Sequence, residues 1–183
     1  MNIFILHEVP SVAARHMCDK HIPKMCVESA QMMASALRRH GAEDKEMPLT
    51  QGGRAYKGGY HHHPCTKWVG DSQANYQWLM WHAVELCREF HKRYDKIHAC
   101  TLPIFHMCGM SERIPSLLSR RTEFVQAMPD EYKDECAVKA YRRYYIHEKK
   151  GFATWNKGTP TPLWWITQNQ IKNEQRQAQA IEK

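Results

Sequence analysis

No stretch of the 183-residue sequence approaches the roughly 20 consecutive apolar residues that a membrane-spanning helix requires. A membrane role therefore has no support, and nothing at the N-terminus resembles a cleavable signal. Alternation of apolar and polar residues is missing beyond the first few positions, so a sheet has little to be built from. The seven cysteines are odd in number and follow no regular framework. They read as reduced thiols in a cytoplasmic protein. Clean Cys-x2-Cys or His-x3-His units are lacking too. "HMCDKH" and "HHHPC" do place ligand-type residues at His16, Cys18, Asp19, His21, His61, His62, His63 and Cys65. Adjacent histidines cannot all face one ion, so the expectation is no metal and no cofactor. Acid is absent from 47 to 70, "MPLTQGGRAYKGGYHHHPCTKWVG".

What is present is base. Lysine and arginine number 26 against 19 acids, for a net charge of +7, and the basic residues are spread along the chain rather than gathered in a tail. Such a balance favours a polyanionic partner, because cations neutralising phosphates release counterions. In the acid-free stretch Arg54, Lys57 and Lys67 alternate with Tyr56, Tyr60 and Trp68, a mixture suited to phosphates and unstacked bases. A solvated glycine-rich loop has the same composition. At 43% hydrophobic and 25% charged, the chain is expected to fold, and its length suits one domain.

The pattern predicts a mainly α, single compact helical domain over 1–165. It has a short extended N-terminal segment, "MNIFILHEVPS", a long basic loop, and a polar tail over 166–183 that is helical or frayed. Ser11 after Pro10 is placed to cap a first helix through about Asp19. Pro23 suits the first turn of a second helix, in which Met25, Cys26, Ser29, Met33 and Leu37 recur at helical spacing, and Gly41 can end it. Residues 41–64 read as a loop. Behind Ser72, the residues Tyr76, Leu79, Ala83, Leu86, Cys87, Phe90 and Tyr94 form one apolar stripe, the expected central helix. Four glycines and prolines break 97–129 into short pieces, and "DECAVKAYRRYYIHEKKG" gives a last helix ending at Gly151.

Along the second helix Lys24, Glu28, Gln31 and Ser35 share a face. Such a face is ordinarily solvated. A carboxylate beside a lysine, partly covered by the basic loop, can instead act as acid or base or stabilise a developing sugar cation. Trp68, Trp78 and Trp81 cannot all be buried by one helix face, so at least one should border a groove, and Asn75 can bond a base edge or cap a turn.

The motifs "MNIF.L", "CDKH..KM..E.AQM", "HPC..W...S..NY.WL", "AMPDEYK" and "AYR.YY" together resemble a small family encoded by tailed phages, over 1 to about 165. His7 stands where that family has Asp. The succession of short helix, x-Pro-basic turn, long helix, basic loop and tyrosine-bearing helix is also distantly similar to the phage pyrimidine-dimer DNA glycosylases. That resemblance implies a small α enzyme whose N-terminal amine attacks the sugar C1′ while a glutamate assists. His16 and Ile22-Pro23-Lys24 match the family's histidine and Leu-Pro-Arg turn, which makes Lys24 a phosphate contact. His21 occupies the place of the family's glutamate, two before the proline. Asn2 is too large for efficient removal of Met1, so the available amine is that of Met1 rather than of a threonine.

The reading that follows is a DNA- or nucleotide-acting enzyme on a damaged or modified pyrimidine. Glu28 is its acid, base or cation stabiliser, His21 and Asp19 orient or relay protons, and Met1 is a candidate nucleophile. His16, Lys20, Lys24, Gln31, His63 and Lys67 would hold substrate, Trp68 or Tyr60 would stack on a base, and Asn75 would read its edge. A transferase in pyrimidine hypermodification could use the same pocket. A non-catalytic DNA- or host-protein-binding module would leave the polar face of the second helix fully exposed.

Overall fold

The computed structural model describes residues 1–116 and 120–167. The helices are α1 (Pro10–Arg15), α2 (His21–Arg39), α3 (Pro64–Asp71), α4 (Gln73–Tyr94), α5 (Thr101–Cys108) and α6 (Ala137–Glu148). Single 3₁₀ turns lie at Asp44–Glu46, Ser111–Arg113 and Asp130–Tyr132, and a further helical stretch covers 163–167. Among the described residues there is no strand, only an isolated bridge between Leu49 and Ala55. No helix among them is long and apolar enough to cross a membrane. All of the expected polar tail beyond Thr167 lies outside the described residues.

Local chemistry sets the boundaries. Pro23 sits in the first turn of α2, where no amide donor is needed, Arg38 and Arg39 complement the carbonyls of its last turn, and Gly41 at φ 82° ends it. Ser72 caps α4, its hydroxyl accepting from the Asn75 N–H at 3.1 Å, and Asp95 in the left-handed region stops the helix. Both boundaries of the first helix differ from the sequence pattern. α1 begins at Pro10, not after Ser11, and it stops at Arg15 rather than near Asp19. The reason is Arg93 of α4, whose guanidinium takes the carbonyls of Arg15 (3.0 Å) and Met17 (2.9 Å) and so holds the chain in a turn. α3 was hidden in the loop composition. Pro64 fills its first position and His63 caps it, Nδ1 accepting from the Cys65 N–H at 3.2 Å.

α2 and α4 pack along one another, with α1 crossing α4 and α3 lying against both. Met17, Met25, Met32, Met33, Leu37, Tyr76, Leu79 and Leu86 fill the core, and Ile3, Phe4, Ile5 and Leu6 are buried in it. The N-terminal segment is therefore an interior element. It is not a ladder strand: the Asn2 side-chain oxygen takes the amides of Ile3 (2.7 Å) and Phe4 (3.0 Å), and Phe4 turns to φ 50°. The far end of the chain is tied to the same region. Asp19 pairs with buried Arg93 at 3.0 Å and accepts from the Asn156 N–H at 2.7 Å, while the Thr159 hydroxyl donates to Glu89, Arg93's other partner, at 2.7 Å. Removing one member of such a buried pair costs about 3–5 kcal/mol.

Candidate active site

Burial of the first six residues brings the chain's α-amine to α2. The Met1 amine lies 3.8 Å from Glu28 Oε2, and the Asn2 N–H donates to the same oxygen at 2.8 Å. Lys24, one turn earlier, reaches Oε1 at 3.4 Å while its own side chain stays largely in solvent. Glu28 is only 8% exposed, so its carboxylate is held by a backbone amide and flanked by two cations in a partly dry setting. Asn2 fixes this geometry from behind, its side-chain amide donating to the Ala127 carbonyl at 2.8 Å. That contact draws on the "AMPDEYK" segment.

The other walls come from the loop and from α6. The Ser35 hydroxyl donates to the Gly59 carbonyl (3.0 Å) and accepts from the Gly59 N–H (2.8 Å), so the basic loop lies on the helix face that carries Gln31 and Ser35. The charges of both the Met1 amine and Glu28 act on His63 and Cys65 at the start of α3. Partial burial lowers the His63 pKa, and burial raises that of the Cys65 thiol to about 12. That thiol stays protonated and is no nucleophile at neutral pH. Beyond Phe4, Lys149 sits over the Tyr144 ring at 4.8 Å and the Phe4 ring at 6.0 Å, and Lys20 over Phe152 at 4.7 Å. With Lys24, these lysines surround His21 with positive charge. A polyanion could lie across this surface.

Several sequence expectations need correction. Trp68 does not stack on a base: it is buried, its indole N–H donates to the Glu123 carbonyl at 2.8 Å, and Trp78 and Phe124 pack against it. Trp81 is the exposed tryptophan of the three. Asn75 reads no base edge. Its amide is spent inside, on the Trp68 carbonyl and on Thr122. Asp19 relays no proton to Glu28, being occupied by Arg93 and Asn156. His21 lies two turns before Glu28, about 10 Å along the axis. Burial, reinforced by Lys149, Lys24 and Lys20, lowers its pKa to about 3, and Nδ1 is bonded to the Tyr145 hydroxyl at 2.7 Å. It is a neutral, interior ring. His16 belongs to another neighbourhood, accepting from the Trp164 indole N–H at 3.2 Å. Tyr60 and Lys67 are exposed, Gln31 and His63 half-buried, and Lys20 and Lys24 exposed on the cationic side.

Among the described residues no group of three or more His, Cys, Asp or Glu side chains is arranged to hold a metal. Sequence reasoning gave no site role to Asn2, Phe4, Tyr144 or Lys149. The length of the buried N-terminal run was the one signal for the first two, since only an interior path buries four consecutive apolar residues.

Comparison with curated proteins gives no match, and neither does comparison with solved structures. The model of one family does match, over residues 1–102, more than half of the chain and the part that contains Met1, Lys24, Glu28, the basic loop and α3. The match agrees with the all-helical architecture, with a DNA glycosylase-like function and with DNA as the partner. On these grounds the chain belongs to the pyrimidine dimer DNA glycosylase family.

Proposed function

We propose that the chain is an N-glycosylase acting on a damaged or modified pyrimidine in DNA, with the Met1 amine as nucleophile and Glu28 as the assisting carboxylate. The observation that carries this is the 3.8 Å approach of the amine to a largely buried carboxylate that a backbone amide already orients. In its neutral form the amine donates its lone pair to the sugar C1′, and the electrons of the C1′–N bond leave with the base. The ammonium proton passes to Glu28. The same carboxylate stabilises positive charge on C1′ and the ring oxygen before the new bond is complete. The C1′–O4′ bond then breaks, O4′ takes the proton held by Glu28, the remaining N–H proton goes to the departed base, and an imine joins Met1 to C1′. Water hydrolyses it, or the chain beyond it eliminates. Lys24, Lys20 and Lys149 would hold phosphates.

Glu28 thus takes the part that the family's glutamate plays from the position of His21 here. α2 starts with an interior histidine, and the carboxylate comes from two turns further on. The burial of Glu28 and Ser35 speaks against a binding module, for which this face would be bare.

Glu28→Gln keeps an acceptor for the Asn2 amide and should leave the melting temperature near that of wild type, while base release from ultraviolet-irradiated DNA falls by at least about 100-fold. Borohydride should trap a covalent adduct at Met1 in the wild type, and acetylation of the amine should abolish it. Wild-type turnover by Glu28→Gln would remove the carboxylate from the mechanism, and trapping that survives acetylation would move the nucleophile to a lysine.

A further inference from the structure

On the side of α6 turned away from Tyr144 lies a second cleft, of about 430 Å³, lined by Lys139, Arg142, Arg143, Ile146, His147, Trp164 and Thr167. Four of these seven are basic or imidazole side chains and none is acidic. Arg143 is balanced at its rim by Asp134 at 2.8 Å. Arg142 and Lys139 pair with no carboxylate among the described residues. The Arg142 guanidinium is half-buried, donates Nε–H to the Leu6 carbonyl at 3.0 Å, and stands 5.4 Å from the centre of the Trp164 ring. Trp164 is itself oriented, because its indole N–H is held by His16. Burial lowers the His16 pKa to about 4, so that Nδ1 is free to accept. Arg142, tied to the Leu6 carbonyl, and Trp164, tied to His16, hold a cationic plane and an aromatic plane around a single space.

We propose that this cleft is a nucleotide-binding subsite, separate from the Met1–Glu28 site. It takes a phosphate between Lys139 and Arg142, and the attached base lies against Trp164. A guanidinium offering paired donors and an indole face are what phosphate and base each require, and the space is of the size of one nucleotide. The nucleotide comes either from the free pool or from a DNA strand that continues past the lesion. The subsite does not rest on the glycosylase reading and can fail without it.

The test is calorimetric titration of the full chain with thymidine 5′-monophosphate and, separately, with an undamaged duplex at low salt. Lys139→Glu, Lys139→Ala and Lys92→Glu are compared with wild type. Lys139 is exposed and so is Lys92, which lies on α4, so neither reversal strains the core. Nucleotide affinity should fall at least tenfold in Lys139→Glu and less in Lys139→Ala, and stay at wild type in Lys92→Glu. That result supports the subsite with a free nucleotide as its ligand. A loss confined to the duplex, absent from Lys92→Glu, supports it with the DNA strand as the source. No loss in either titration, or an equal loss in Lys92→Glu, overturns the proposal. Arg142→Gln is a second variant: retention of wild-type affinity for both ligands by it would also overturn the assignment.

Discussion

At the scale of single residues, the molecule buries imidazoles that carry no charge. His82 is fully enclosed on α4, stacked on Trp78 at 5.2 Å, and neither ring nitrogen has a hydrogen-bond partner among the described residues. Burial alone lowers its pKa to about 3; His21 falls to about 3 and His16 to about 4. Each of these bases is harder to protonate folded than unfolded. Between the ordinary value near 6.5 and the folded value of about 3, the unfolded chain binds more protons, so stability is lost as pH falls through that window. Full stability returns only above it. His82→Leu removes one of the three and two desolvated nitrogens with it, each costing about 1–3 kcal/mol. The variant should melt higher at pH 7, and the gain should widen toward pH 5. Melting curves at both pH values check this. An unchanged pH dependence would mean that His82 is hydrated in the fold.

At the scale of elements, the decisive contact is between the basic loop and α2. Gly58 has φ 79°, and a β-carbon there would overlap the Ser35 hydroxyl and come within 2.7 Å of its amide nitrogen and 2.9 Å of its Cα. Gly58→Ala must therefore lift the loop and break both Ser35–Gly59 hydrogen bonds, each worth about 1 kcal/mol, in addition to about 1–2 kcal/mol for the left-handed backbone. A lower melting temperature and faster amide exchange at Gly59 are expected, with base release reduced because Glu28 becomes wetter. α2 and α4 could be read from the sequence because Pro23, Gly41 and Ser72 are local signals beside long apolar stripes. α3 could not, since a histidine cap is uncommon and its helix is too short to show a period. Glu28 was legible as a polar residue on a helix face, but its partner was not, because nothing local says that residue 1 returns to residue 28. Trp68 and Asn75 were misjudged for the same reason. What covers them is the segment from Thr122 to Phe124, some 50 positions away.

At the scale of the whole molecule, the net charge of +7 and the exposed lysines near Met1 and Glu28 predict DNA binding governed by counterion release. Affinity should fall on the order of 100-fold between about 50 mM and 200 mM salt, with little dependence on sequence. Lys24→Ala should reduce the slope of log affinity against log salt by about one, as one lost phosphate contact does. Titrations at several salt concentrations measure both, and a flat salt response would exclude the polymer as ligand. The amine and the carboxylate both lie within the first 28 residues, yet what orients them comes much later. Ala127 holds Asn2, Tyr141 and Tyr145 wall Phe4, and Asn156 and Thr159 close the Asp19–Arg93–Glu89 cluster. A ribosome therefore releases Met1 and Glu28 first and the residues that orient them last. Under the proposed mechanism, a chain interrupted in synthesis would carry the amine with no built site around it, and DNA would meet no half-made site.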